Sequence, residues 1–311
     1  MALKGSFTYT TKRPWVLEYL RRNLLISRFL GVFPFSVDDE FSISKFELAG
    51  TLIFNVFFSA VAVITIANEF TSHHASIQDL QLALISGGEA ALMGFLVCLS
   101  SFEILRNAKQ FKTIYRHFRK VDMYLERISA KKRPPLSDRE LMLRVLHLWP
   151  IFIIIMIEIE RYTALGHTYD LLRYLSIIAH VTCNVKLFGI AFSFKAFMCT
   201  LGVYIETLND ALSAKSATGS ANSLIYISGE AHDHLYLAFK CINAAFARTL
   251  LVMVINCFVK CTDNFYKLIG QEEGAYSSFL FAIWMSTMIM QLLILTNAVI
   301  EPVEQVNLKK L

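Results

Sequence analysis

The residues able to do chemistry in this chain are few and poorly grouped. His73 and His74 are adjacent, His232, Asp233 and His234 form a second cluster, and Cys257 and Cys261 stand one helical turn apart. None has further ligands at the spacing of a tetrahedral zinc site. No metal is therefore expected: a solvated loop turn accounts for each histidine group, and packing accounts for the thiols. Gly87 and Gly88 lack the preceding strand, the glycine spacing and the lysine of a phosphate loop. They read as small residues that let helices approach. No serine elbow, kinase motif or H-E-x-x-H is present. The expectation is a protein that is not an enzyme and carries no cofactor.

The ionisable groups embedded in apolar sequence say more, because an unpaired charge in hydrocarbon is expensive. They are Glu89, Glu158, Glu160, His180, Lys186, Lys195, Lys260 and Asp263. Lys260 and Asp263 are three positions apart and can pair on one helix face. Glu160 stands beside Arg161 near a span end, where long side chains reach the interface cheaply. Glu89 and Lys186 remain as the deep pair, either an ion pair locking two helices or a polar wall of a ligand cavity.

These residues sit in apolar runs that decide the fold class. Runs 46–67, 80–105, 145–165, 171–200, 242–269 and 277–300 each reach the ~20 residues that a helix needs to cross a ~30 Å hydrocarbon core. Hydrophobic residues make up 55% of the chain and charged residues 18%, against about a quarter charged in soluble domains. The fold class is all-α, a polytopic membrane helix bundle of six spans in one membrane domain, placed in the cell membrane. The first forty residues are charged and broken by Pro14, Gly31 and Pro34, so no cleavable signal peptide is read there.

Basic residues set the orientation. Between the second and third spans lie Arg106, Lys109, Lys112, Arg116, Arg119, Lys120, Arg127, Lys131, Lys132, Arg133, Arg139 and Arg144. The N-terminal segment adds Lys4, Lys12, Arg13, Arg21, Arg22, Arg28 and Lys45, while 68–79 and 270–276 contain no Lys or Arg. Positive loops stay in the cytosol. Segments 1–45, 106–144, 201–241 and 301–311 are thus expected to be cytoplasmic, the reverse of a G-protein-coupled receptor. The net charge of +5 follows from these loops and anionic headgroups, without nucleic acid as a partner. All six cysteines fall in or at the ends of spans, so no disulfide is expected.

Two segments prolong the helices past the bilayer. Phe111, Ile114, Tyr115, Phe118, Val121, Tyr124 and Leu125 recur at three and four, which predicts an amphipathic helix after the second span. Residues 201–212 continue the fourth span helically, 215–223 read as a small-residue linker, and 231–241 lead back toward the fifth. Together these form a platform below the membrane.

Several stretches now resemble one family. Arg28-Phe29-Leu30-Gly31-Val32-Phe33-Pro34-Phe35, just before the first span, resembles a short motif of insect gustatory receptors. Leu237, Ile242, Asn243, Phe246, Leu250, Leu251, Phe258, Phe265, Tyr266 and Leu268 look like that family's fifth helix and its approach. Residues 298–311, with Glu301 and Leu308, look like the end of its sixth. The resemblance implies a chemosensory ligand-gated cation channel, a homo- or hetero-tetramer with gustatory receptor subunits, lying in the lipid bilayer and detecting a small-molecule tastant. That family lines its pore with a seventh helix bearing a T-Y-hydrophobic-Q-F signature, which the residues through Leu311 lack. The expectation is a sensing bundle that does not conduct without such a helix.

The family's ligand pockets lie in the outer half of the bundle. Here that half offers Glu89, Glu158, His180, Asn184, Asn264, Phe265 and Trp284, and convergent polar groups between apolar walls are what a small-molecule cavity needs. Phe265 and Trp284 are the expected walls. Tyr162, Tyr174 and Tyr276 fit interfacial anchors instead. Two other readings stay open: an odorant-receptor relative, and a secondary transporter. Against transport stand the absence of repeated halves and of Pro inside the spans, apart from Pro150 near a span start.

Overall fold

The computed structural model describes residues 45–71, 77–128, 171–216, 221–270 and 275–307, with 20, 24, 27, 28, 32, 33, 35, 36, 42, 43, 152 and 155. Within them the chain is almost wholly helical. Two two-residue strands, β1 (Phe35–Ser36) and β2 (Ser42–Ile43), pair antiparallel with Phe35 opposite Ile43. Six helices follow: α1 (Lys45–Thr71), α2 (Ile77–Arg106), α3 (Ala108–Ile128), α4 (Leu171–Ser216), α5 (Ala221–Gly270) and α6 (Ala275–Asn307). The expected third span, 145–165, lies outside the described residues except for Phe152 and Ile155.

Helix α3 shows how the sequence period becomes packing. Phe111, Ile114, Tyr115, Phe118 and Val121, all on the expected apolar stripe, are buried, and Tyr124 and Leu125 are partly buried against the same core. The polar remainder of the helix leaves its other face to solvent. The junction with α2 is a single residue. Asn107 N–H donates to Glu103 O at 2.9 Å, while Asn107 O accepts from Gln110 N–H at 2.8 Å and Phe111 N–H at 3.1 Å. It thus ends one helix and starts the next, a position Asn favours because its side chain can serve nearby backbone groups.

α4 and α5 run for 46 and 50 residues, or about 70 and 75 Å at ~1.5 Å per residue, more than twice a hydrocarbon core. Each therefore projects well past the apolar layer. The small-residue linker is shorter than expected, since α4 reaches Ser216 and α5 begins at Ala221. His232, Asp233 and His234, expected in a loop turn, stand inside α5. Their polarity reflects a helix that has left the apolar layer, not a break in the chain.

α4 forms the axis. Every residue from 183 to 194 is buried, and α4 packs against α1, α2, α3, α5 and α6, while α3 lies mainly along α5. In contrast, α1 exposes Ile53 and Val56, and α5 exposes Leu251 and Phe258. Apolar side chains on the outside and a helix buried all round fit a bundle that faces hydrocarbon. Among the described residues, Val181–Ser213 and Ile225–Thr262 are long and apolar enough to cross a membrane.

Near α3 the bundle is closed by an aromatic cluster. The Phe111 ring meets Phe33 at 5.0 Å, Phe35 at 5.4 Å, Phe246 at 5.4 Å and Phe197 at 5.7 Å. The segment before α1, α3, α4 and α5 thus share one ring contact network, with edge-to-face pairs of the kind aromatic quadrupoles favour. Ser27 Oγ ties the same segment to α4 by donating to Gly189 O at 3.0 Å.

Candidate ligand-binding region

Alternating helix direction gives the bundle two ends: one that carries α3, and a far end where α1 meets α2 and α5 meets α6. Glu89 stands on α2, His180 on α4, Asn264 and Phe265 on α5, and Trp284 on α6. All lie within about four turns of the far end. The backbone thus puts these five of the six expected residues at one end of one bundle. The side chains of Glu89, His180, Asn264 and Trp284, and the whole of Glu158, lie outside the described residues. Phe265 is 55% exposed, on the same helix as the exposed Leu251 and Phe258.

Below that level runs a polar seam through the apolar core. Lys186 Nζ donates to Asn55 Oδ1 at 3.0 Å and lies 4.7 Å over the Phe54 ring centroid, joining α4 to α1. Asn184 Oδ1 accepts from Lys260 Nζ at 2.7 Å, joining α4 to α5. Both ammonium groups belong to residues at most 2% exposed. Such groups in a dry interior need acceptors, and an amide oxygen or an aromatic face supplies one. Lys186, expected as one half of a deep pair with Glu89, has Asn55 and Phe54 as partners among the described side chains, while the Glu89 side chain lies outside them. Asn184, expected to line the cavity, orients Lys260. Farther along, Cys257 Sγ donates to Gln291 Oε1 at 3.7 Å between α5 and α6. Ser59 Oγ and Cys98 Sγ lie 2.9 Å apart between α1 and α2.

Toward α3 the seam ends in an ionic cluster that the sequence reading overlooked. Glu103 Oε1 accepts from Arg248 Nη1 at 3.2 Å and Arg106 Nη1 at 3.3 Å, while its side chain is 7% exposed. Asn107 Nδ2 donates to Ala245 O at 3.1 Å, so α5 is held to the α2–α3 junction twice. The signal was available: Glu103 and Arg248 each fall inside an expected span, near the end where α2 finishes and α5 enters. Beyond it, Tyr204 Oη donates to Asp122 Oδ1 at 2.8 Å, and the Tyr204 ring stacks on Phe118 at 5.3 Å. Among the described residues, no group of three or more His, Cys, Asp or Glu could hold a metal ion.

Residues 20–309 match the profile of the 7tm chemosensory receptor family. The chain belongs to that family. No curated protein sequence matches it significantly. Among solved structures, the insect olfactory receptor OR5 from Machilis hrabei, in complex with eugenol, aligns with a TM-score of 0.66 at 11% identity. The alignment covers 93% of this chain and 81% of that receptor. At that identity the likeness establishes the fold, which is the insect chemosensory receptor bundle. The receptor is accordingly a membrane protein. The residues that carried the resemblance to gustatory receptors divide in two: Phe33, Phe35, Ile242 and Phe246 are at most 1% exposed and pack in the core, whereas Leu237, Leu251, Phe258 and Phe265 lie on the exposed surface.

Proposed function

We propose that this chain is a gustatory-type chemosensory subunit of a ligand-gated cation channel family, not an enzyme. It lies multi-pass in the cell membrane as a homo- or hetero-tetramer. The α3 end faces the cytosol, where the basic loops belong, and the far end faces out. A small-molecule tastant enters between the far-end turns, walled by Phe265 and Trp284, with Glu89, Glu158, His180 and Asn264 as polar contacts. The observation that carries the chemosensory part of the reading is the family match over residues 20–309; its gustatory part is drawn from the resemblance of residues 28–35 and 237–268. The α4–Lys186–Asn55 and α4–Lys260 ties support it, since they fix the helices that such a site would need to hold in register.

An odorant-type reading draws on a different observation, the likeness to an olfactory receptor solved with eugenol. Thermal unfolding of the full chain in detergent separates the two, because a ligand that binds the folded state raises its stability by mass action. Stabilisation by sucrose, caffeine or quinine, diminished in Trp284→Ala, supports the gustatory reading. Stabilisation by eugenol alone favours the odorant one. No response to any of the four counts against a far-end site.

A further inference from the structure

We propose that His117 and His234 form a proton-sensitive latch between α3 and α5, reporting cytosolic acidification to the bundle. The two Nδ1 atoms face each other at 3.1 Å, one on each helix, and the ring centroids are 5.2 Å apart. Tyr124 of α3 stacks on His234 at 5.9 Å and closes that side of the pair. The contact lies on the interface that attaches α3 to the long α5, whose other end reaches the far-end region. With two nitrogens and no third ligand among the described residues, the pair falls short of a metal site. Its chemistry is proton exchange.

A hydrogen bond between two Nδ1 atoms requires one ring to donate and the other to accept, so at least one imidazole is neutral. A first proton leaves that arrangement possible. A second places two N–H donors and two positive charges face to face, which breaks the contact; the two sites titrate as a pair. The surroundings push the same way. Burial, then His234, then Lys120 of α3 hold His117 below the ordinary histidine value. Burial and Lys120 likewise lower His234, with Glu230 and Asp233 of α5 opposing in part. Groups lowered in the folded state contribute stability that is complete above the ordinary histidine value and is lost as pH falls below it. Acid therefore weakens α3 on α5, whereas alkali leaves it intact.

The cytosolic address rests on the orientation proposed above; the acid response does not. Hydrogen exchange on the purified full chain in detergent, corrected for intrinsic rates, tests the response at about pH 7.5 and about pH 5. The wild type is expected to lose protection in α3 and in the first turns of α5 on acidification. His234→Gln, which keeps a hydrogen-bonding group but cannot take up a proton, is expected to be protected at the higher pH and to lose the acid response. His117→Gln serves the same purpose if His234→Gln does not fold. An acid response of equal size in the Gln variant, or none in the wild type, overturns the latch. Labelling of Arg116→Cys by a membrane-impermeant maleimide from outside intact cells would overturn only the cytosolic address.

Discussion

Glu103 and Arg248 are 145 positions apart in sequence and 3.2 Å apart in space. The carboxylate is nearly enclosed while the guanidinium is mostly exposed. The pair therefore works at a boundary: the acid is held in the bundle and its charge is answered from the rim. Because Arg106 reaches the same oxygen, one carboxylate anchors α2 and α5 together where α3 departs.

Glu103→Gln should destabilise the folded chain by about 1–3 kcal/mol, the usual worth of hydrogen bonds to a charged group. Arg248→Gln alone should cost less, since Arg106 still serves the acid. The double variant should fall short of the sum, and the shortfall in thermal or urea unfolding measures the coupling. Strict additivity would show that the pair contributes nothing.

The lysine seam makes an asymmetric prediction. Asn55→Leu removes the acceptor of a buried ammonium and should cost about 1–3 kcal/mol. Combining it with Lys186→Met removes the charge as well, and an apolar pair in place of a buried polar one is commonly neutral or stabilising. The double variant should therefore be more stable than Asn55→Leu alone. A double variant less stable than the single one would mean that Lys186 is held by something other than Asn55.

The aromatic cluster should depend most on its central ring. Phe111→Ala leaves a cavity between four segments and should cost about 3–5 kcal/mol. Phe111→Leu should cost less, since it keeps most of the volume. The expected secondary effect is loosening of the segment before α1, because Phe33 and Phe35 both rest on Phe111. Protease sensitivity of the region around Val32 reads this out. An unchanged cleavage rate there would detach that segment from α3.

Tyr204→Phe removes a single hydroxyl and its 2.8 Å bond to Asp122, while the ring stays stacked on Phe118. The expected loss is about 1–2 kcal/mol, because the acceptor is a part-buried carboxylate. Asp122→Asn should cost less than Tyr204→Phe, since an amide oxygen can still accept. The order of the two melting temperatures checks this.

The helical class, the amphipathic α3 and the prolonged α4 and α5 were legible in the sequence because apolar period and length fix them locally. The interhelical ties were not. The spacing of Lys260 and Asp263 permits a pair on one helix, but only the fold brings Asn184 to 2.7 Å from Lys260. The same holds for Lys186, whose partner Asn55 lies 131 positions away on α1. The histidines at 232 and 234 looked like a turn because polar residues usually mark one. Only the packing of α3 on α5 shows that His234 has a partner in His117. Glu89, His180, Asn264, Phe265 and Trp284 stand on α2, α4, α5 and α6 because helix length and chain direction put them there; that they share a ligand site is the proposal made above.

Small-molecule binding among the far-end turns of α2, α4, α5 and α6 is the proposal on which the functional reading stands. Photolabelling the full chain in lipid nanodiscs with a diazirine analogue of eugenol, then mapping the adducts by mass spectrometry, tests it most directly. Labels are expected near Glu89, His180, Phe265 and Trp284, suppressed by excess unlabelled eugenol or a tastant. Labels confined to the α3 end, or spread over the lipid-facing surface and indifferent to competitor, would contradict it.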